Sequence, residues 1–186
     1  KERDFIVAYN NIFYYLNEYD DSEGQLRILK KFGSYFQSRY KTKTNTSEYY
    51  YAKRVYRKMQ IIGARIEDKP ELSYEYLKLM KQEMLQAPKI EFADDMNYYL
   101  SCLSDLCYYY NYSSKDYTTG LKLCNEYLQE ATTQKDTFSI MLAHSILANQ
   151  YREMKQYEKA LFHVNASLNS YQFPPTSLSK FGLETM

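Results

Sequence analysis

The sequence predicts an all-α fold made of antiparallel helix hairpins. Three observations carry that expectation. Apolar residues recur at helical spacing almost throughout the chain. Only 5 Gly and 4 Pro occur in 186 residues, too few to supply the turns, bulges and phosphate-cradling loops of other fold classes. The gaps between periodic stretches are mostly two to five residues long, which forces consecutive helices to run antiparallel.

In chain order, the periodicity predicts helices over 4–19, 23–38, 47–66, 70–86, 91–111, 115–131, 136–154 and 157–171, with a further helix starting near Pro174. The start signals agree. Ser22 with Gln25 fits a capping box, and Ser47 and Ser114 fit caps. Pro70 and Pro175 suit a first helical turn, where a missing N–H costs nothing. Only YKTKTNTS, Tyr40 to Ser47, reads as a longer loop.

The totals limit the function classes. Hydrophobic residues at 45% and charged residues at 25% are ordinary for a globular chain, which argues against disorder and against a membrane protein. A net charge of +1 gives no general attraction to nucleic acid or anionic lipid. No apolar run approaches the ~18 residues needed to cross a bilayer. The chain begins KERDF and stops at Met186 inside what reads as a new helix, so a fragment of a larger protein is expected. Cys102, Cys107 and Cys124 are odd in number, and Cys102 and Cys107, five apart on one helix, lie too far apart to bridge. Buried thiols are expected, and neither metal nor cofactor.

The hairpins read as copies of one another. His144, Leu147, Ala148 and Tyr151 are followed by Ala160 and Val164; Leu103, Leu106, Cys107 and Tyr110 by Gly120 and Cys124; Met59, Ile62, Gly63 and Ile66 by Tyr76 and Met80. A small residue between large ones lets a neighbouring helix lean in, and each hairpin alone leaves an apolar flank wet, so neighbours must stack.

The last pair resembles a tetratricopeptide repeat. Leu147, Tyr151 and Ala160 stand at the family's positions, with His144 in place of Trp, Ala148 in place of Gly and Val164 in place of Phe. The likeness weakens towards the N-terminus: Gly63 fits, Tyr76 is much larger than the usual Ala, and 4–38 matches only as a hairpin of the right length. The resemblance implies one array over 1–186, with hairpins at 4–38, 47–86, 91–131 and 136–171 and the start of a further helix at 174–186, wound as a right-handed superhelix. Steps of 40 and 44 residues between units exceed the family period, so an irregular superhelix is expected.

The resemblance also implies a concave groove lined by the first helix of each hairpin. Its residues would be Asn10, Tyr14 and Asn17; Arg57 and Gln60; Ser104, Tyr108 and Asn111; and Ser145, Asn149 and Arg152. Amides and hydroxyls suit the backbone of a peptide, and Arg57 and Arg152 suit carboxylates. The family's carboxylate clamp also calls for Lys at these places, and they are missing.

No phosphate-loop, nucleophile-elbow or HExxH pattern is present, and His144 and His163 are the only imidazoles. Asp20 with Asp21 and Asp94 with Asp95 read as helix-end charge rather than acid–base pairs. Between Arg39 and Arg65, eight basic residues face the single acid Glu48, with Tyr49, Tyr50, Tyr51 and Tyr56 interleaved. Lys53, Arg54, Arg57 and Lys58 form the centre of this stretch. Such a run could grip phosphate and stack a ring, but a solvated face balanced by Glu67, Asp68 and Glu71 is the simpler reading. Most of the 23 Tyr read as packing.

The expected function is a non-enzymatic scaffold that binds a protein or peptide. A loose likeness to Tyr-, Lys- and Asn-rich repeat regions of membrane-anchored bacterial regulators suggests the interaction or sensor segment of a larger regulator, cytoplasmic or extracytoplasmic. The alternatives are a nucleic-acid-binding repeat acting through 39–65, and the scaffold subunit of an enzyme complex. Self-association is left open.

Overall fold

The computed structural model describes residues 2–42, 46–86 and 93–170. The expected helix start at 91, the middle of the 40–47 loop and the further helix over 174–186 lie outside the described residues. The described chain forms α1 (Glu2–Glu18), α2 (Ser22–Arg39), α3 (Ser47–Ile66), α4 (Pro70–Gln86), α5 (Ala93–Tyr108), α6 (Tyr117–Gln134), α7 (Thr137–Glu153) and α8 (Tyr157–Ser170). It is all-α, and α5 continues into a π-helical turn, Tyr109–Ser113. None of these helices is long and apolar enough to cross a membrane. The chain divides into two compact units, Lys1–Tyr99 and Leu100–Met186, with the boundary inside α5.

The caps differ by one or two residues from the expected ones. Asp21, Thr46, Asp116 and Asp136 cap α2, α3, α6 and α7 by accepting from the N–H of Gly24, Tyr49, Thr119 and Ser139. Ser22 and Ser47 are instead the first helical residues, and Ser114 accepts from the N–H of Asp116 at 3.1 Å. A short carboxylate or hydroxyl just outside the helix reaches the orphan amides better than a residue already wound into it.

Five of the connections share one geometry. Asp20, Asp68, Lys115, Lys135 and Lys155 all adopt left-handed φ between 53° and 59°. After α1, α3, α6 and α7, the N–H groups of Asp21, Lys69, Asp136 and Gln156 reach back to the carbonyls of Leu16, Ala64, Ala131 and Tyr151 at 2.8–3.0 Å. These are Schellman closures, which satisfy the last carbonyls of one helix while reversing the chain.

In the first unit, Ile6, Phe13, Phe32, Ala52, Val55 and Met59 form a buried core, ringed by half-buried Tyr9, Tyr35, Phe36, Tyr49 and Tyr56. Burying each large side chain contributes roughly 1.5–3 kcal/mol, so three helices converging on two Phe suffice to fix their packing. Tyr40 closes the far end: its hydroxyl donates to Glu2 Oε1 at 2.8 Å, and Arg39 pairs with the same carboxylate at 2.9 Å.

In the second unit, Leu103, Leu106, Leu123, Ile146 and Leu147 are buried, as are the three unbridged cysteines. The hydrogen bond of the Cys107 thiol to Cys124, followed by burial, pushes that thiol far above its ordinary range, so it stays protonated.

The fourth residue of each second helix is buried: Gln25 in α2, Ser73 in α4, Gly120 in α6 and Ala160 in α8. This moves the small position of the second hairpin from Tyr76, where the sequence pattern put it, to Ser73. Gln25 Nε2 donates to the carbonyl of Phe13 and Ser73 Oγ to that of Ile61, each twelve residues earlier on the partner helix.

A left-handed L-residue costs about 1–2 kcal/mol that Gly escapes, offset in part by the entropy Gly adds to the unfolded chain. Exposed Lys135→Gly is therefore expected to raise stability by about 0.5–1 kcal/mol, read as a higher urea midpoint at unchanged slope.

Candidate binding site

A cleft of about 300 Å³ opens in the first unit between α2, the C-terminal half of α3 and the start of α4. Leu26, Leu29, Leu72 and Ala64 supply apolar lining, Tyr56 and Tyr76 add rings, and Lys30, Ser34, Gln37, Gln60 and Glu67 are its polar members. Two helix glycines line it where neighbouring side chains come close. A Cβ on Gly33 would lie 2.8 Å from the Tyr56 hydroxyl, and one on Gly63 would collide with Leu29 Cδ2. Such a site, partly apolar with a few polar groups, suits an amphipathic side chain or a short peptide stretch.

Beside the cleft, α3 carries the basic residues singled out from the sequence, and the structure joins them to carboxylates within the same unit. Arg57 donates from Nη2 to Glu83 Oε1 at 2.6 Å and from Nη1 to Gln60 Oε1 at 2.8 Å, while Lys53 lies 3.4 Å from Glu83. Lys58 and Arg54 stand 2.8 and 3.4 Å from the two oxygens of Asp95, which is fully buried. Among the described residues no N–H is aligned on the Asp95 carboxylate as a hydrogen bond, and the ion-pair contacts compensate it by charge. The four cations also sit over tyrosines: Lys53 over Tyr49, Arg54 over Tyr51, Arg57 over Tyr76 and Lys58 over Tyr98, at 4.7–5.6 Å from the ring centroids. Of the acids the sequence suggested as partners, Glu67 pairs with Lys69 instead. Asp68 holds a left-handed turn. The working partners are Glu83 and Asp95, one on α4 and one on α5.

The residues expected to line a groove divide between the units. In the first, Gln60 lines the cleft and Arg57 adjoins it; Asn10 and Tyr14 are half-buried on α1, and exposed Asn17 accepts from Gln25 Nε2 at 3.4 Å. In the second, Ser104 and Asn111 are only 6% and 5% exposed, so they face the interior. The π turn carries Asn111 inward, where its amide donates to Cys124 Sγ at 3.7 Å. Its Oδ1, like Gln150 Nε2, crowds the place a Cβ on Gly120 would take. Tyr108 is exposed and stacks on Tyr112, Ser145 and Asn149 are half-buried, and Arg152 is exposed and pairs with neighbouring Glu153.

Nothing in the residue pattern marked Lys30, Gln37 or Leu72, because which flanks of α2 and α4 stay open depends on packing. Gly33 was legible only as a glycine inside a helix, a mark of close approach.

The two histidines face each other, Nδ1 to Nδ1, at 2.9 Å between α7 and α8, and Tyr151 stacks on His163 at 5.3 Å and 8°. At that distance one ring must donate and the other accept, so at least one ring is neutral, and when both are neutral they are opposite tautomers. Burial lowers both pKa values, and His144 lowers that of His163 further. Among the described residues, no group of three or more His, Cys, Asp and Glu could hold a metal. No family model, curated protein or solved structure matches this chain.

Two outcomes follow from these geometries. Asp95→Asn leaves Lys58 and Arg54 without their carboxylate in a half-buried setting and is expected to cost about 3 kcal/mol in chemical denaturation. For the histidines, a folded pKa below the ordinary 6.5 means the unfolded chain binds more protons, so their stability contribution is complete above 6.5 and is lost as pH falls. His163→Phe keeps a ring on Tyr151, and its melting temperature should fall less than that of the wild type between about pH 7.5 and 5.5.

Proposed function

We propose that this chain is a non-enzymatic interaction module of the tetratricopeptide type, in which helix hairpins stack as a superhelix and the first unit holds a peptide segment of a partner protein. The observation that carries the reading is the cleft between α2, α3 and α4, which combines apolar lining, two tyrosines and amide side chains. Stacking finds support inside each unit. Gly63 of α3 lies under Leu26 and Leu29 of the preceding hairpin, and Gln150 of α7 lies against Gly120 of the preceding α6. In both, a following first helix covers a preceding second helix, which is the contact a repeat array needs.

Peptide binding accounts for the cleft better than catalysis does. The buried thiol stays protonated and so is a poor nucleophile, and the two histidines, whose basicity burial lowers, spend their Nδ1 atoms on each other. The nucleic-acid alternative loses support from the ion pairs of Lys53, Arg54, Arg57 and Lys58, because cations already matched by carboxylates release few counterions from a polyanion.

The test fills the cleft from its edge. Ser34 is exposed and lines the cleft, so Ser34→Trp should block it without disturbing the core. Peptides selected from a random display library on the wild-type chain should bind this variant at least ~10-fold more weakly, a loss of about 1.4 kcal/mol. Equal binding to both proteins would remove the cleft from consideration.

A further inference from the structure

The open side of α2 carries three cations, Arg27, Lys30 and Lys31, all exposed. Their spacing makes them neighbours on the helix surface, where like charges repel one another. Among the described residues no carboxylate pairs with any of the three, Glu23 of the same helix included. The basic run of α3 is the opposite case, since Lys53, Arg54, Arg57 and Lys58 all reach Glu83 or Asp95. A concentration of unmatched positive charge therefore lies on α2 rather than on α3.

This cluster borders the cleft, which Lys30 and Ser34 line. Inside it, the polar groups are mostly donors. Gln60 accepts from Arg57 through Oε1 at 2.8 Å, which leaves its Nε2 hydrogens to donate. The hydroxyl of half-buried Tyr56, 2.8 Å from the place a Cβ on Gly33 would take, adds another donor. Glu67, the one carboxylate among the described residues of the lining, is engaged by Lys69 at 2.8 Å. An occupant that meets these groups accepts hydrogen bonds and carries negative charge. One that also covers Leu26, Leu29 and Leu72 has an apolar side chain.

We infer that the cleft takes an acidic segment of a partner protein, with a large apolar side chain between Leu29 and Tyr56 and a neighbouring carboxylate on Lys30, whose charge Arg27 and Lys31 reinforce. Arg27 stands about 4.5 Å along α2 from Lys30, and an extended chain advances ~3.3 Å per residue, so carboxylates one or two residues apart reach both cations. A single-stranded nucleic acid fits less well. Its bases stack on ring faces, and that of Tyr76 is already covered by Arg57 while Tyr56 packs on Phe32 and Phe36.

This inference rests on the cleft reading and adds to it the charge of the occupant. Peptides selected on the full chain from a random display library, then synthesised with a fluorescent label, test it by anisotropy. Those whose binding Ser34→Trp weakens should be enriched in Asp and Glu. Replacing these acids by Asn and Gln should weaken binding at least ~5-fold, and so should Lys30→Glu, a change at an exposed position outside the core. The decisive measurement exchanges the charges: Lys30→Glu should bind a peptide whose acid is replaced by Lys within ~3-fold of the original pair, which mere surface damage does not produce. Peptides sensitive to Ser34→Trp but without an excess of acid, or binding that Lys30→Glu leaves unchanged, would overturn this proposal and leave the cleft reading in place. The absence of any peptide sensitive to Ser34→Trp would overturn both. Polyuridylate binding more tightly than every selected peptide, and lost in Lys30→Glu, would assign the cations to nucleic acid and overturn the proposal.

Discussion

The first unit depends on α3, whose four sides each meet a different demand. Ala52, Val55 and Met59 face the aromatic core, Gly63 receives Leu29, the carbonyl of Ile61 accepts from Ser73, and the cations from Lys53 to Lys58 reach Glu83 and Asp95. A helix engaged on several sides cannot form its surface after packing; each of those faces must suit its neighbour at once. That constraint explains why a basic run sits in the middle of a fold rather than on its rim. Lys and Arg lay their stems along apolar surface and place their charge where carboxylates and ring faces can meet it.

The aromatic composition follows from the same economy of space. With 23 Tyr and no Trp, the chain builds its interior from rings that carry a hydroxyl, and a buried hydroxyl needs a partner. Tyr40 finds Glu2, and burial together with that bond raises its phenol above the ordinary range. Others, such as Tyr49, Tyr51, Tyr76 and Tyr98, remain half-buried and offer their faces to cations. Tyrosine here is both core filler and charge support, which Phe could match only in the first respect and Ser only in hydrogen bonding.

Helix positions were legible in the sequence almost to the residue, because apolar periodicity is a local signal and each hairpin repeats it; α3 and α4 start and end where the spacing put them. What failed was anything set by partners distant in sequence. Tyr76 looked like the small position of its hairpin, yet Ser73 takes it, since register is fixed by the turn at Asp68 and not by the spacing of large residues. Ser104 and Asn111 looked like groove residues by family position. A π turn adds a residue to the end of the helix, rotates Asn111 into the interior and breaks the correspondence, and nothing in YYNYS announces it. Neither Glu83 nor Asp95 could be paired with the basic run from sequence, because helices alone do not reveal which faces meet.

The scarcity of glycine, which pointed first to helices, takes on a second meaning once the turns are seen. Left-handed turns are where glycine is ordinarily most useful, yet five of them use Asp or Lys, and every described glycine lies inside a helix. Gly63 lets Leu29 approach, Gly33 leaves room for the Tyr56 hydroxyl, and Gly120 makes space for two buried amides. Glycine inside a helix costs roughly 0.5–1 kcal/mol relative to Ala, so such positions persist only where close approach returns more than that. The chain accepts strain in its exposed turns, where Schellman bonds can offset it, and places its few residues without a side chain where helices must nearly touch. The helix contacts, rather than the turns, are therefore the most demanding part of this fold, and the cleft is lined by two of the glycines at which α2 and α3 come closest.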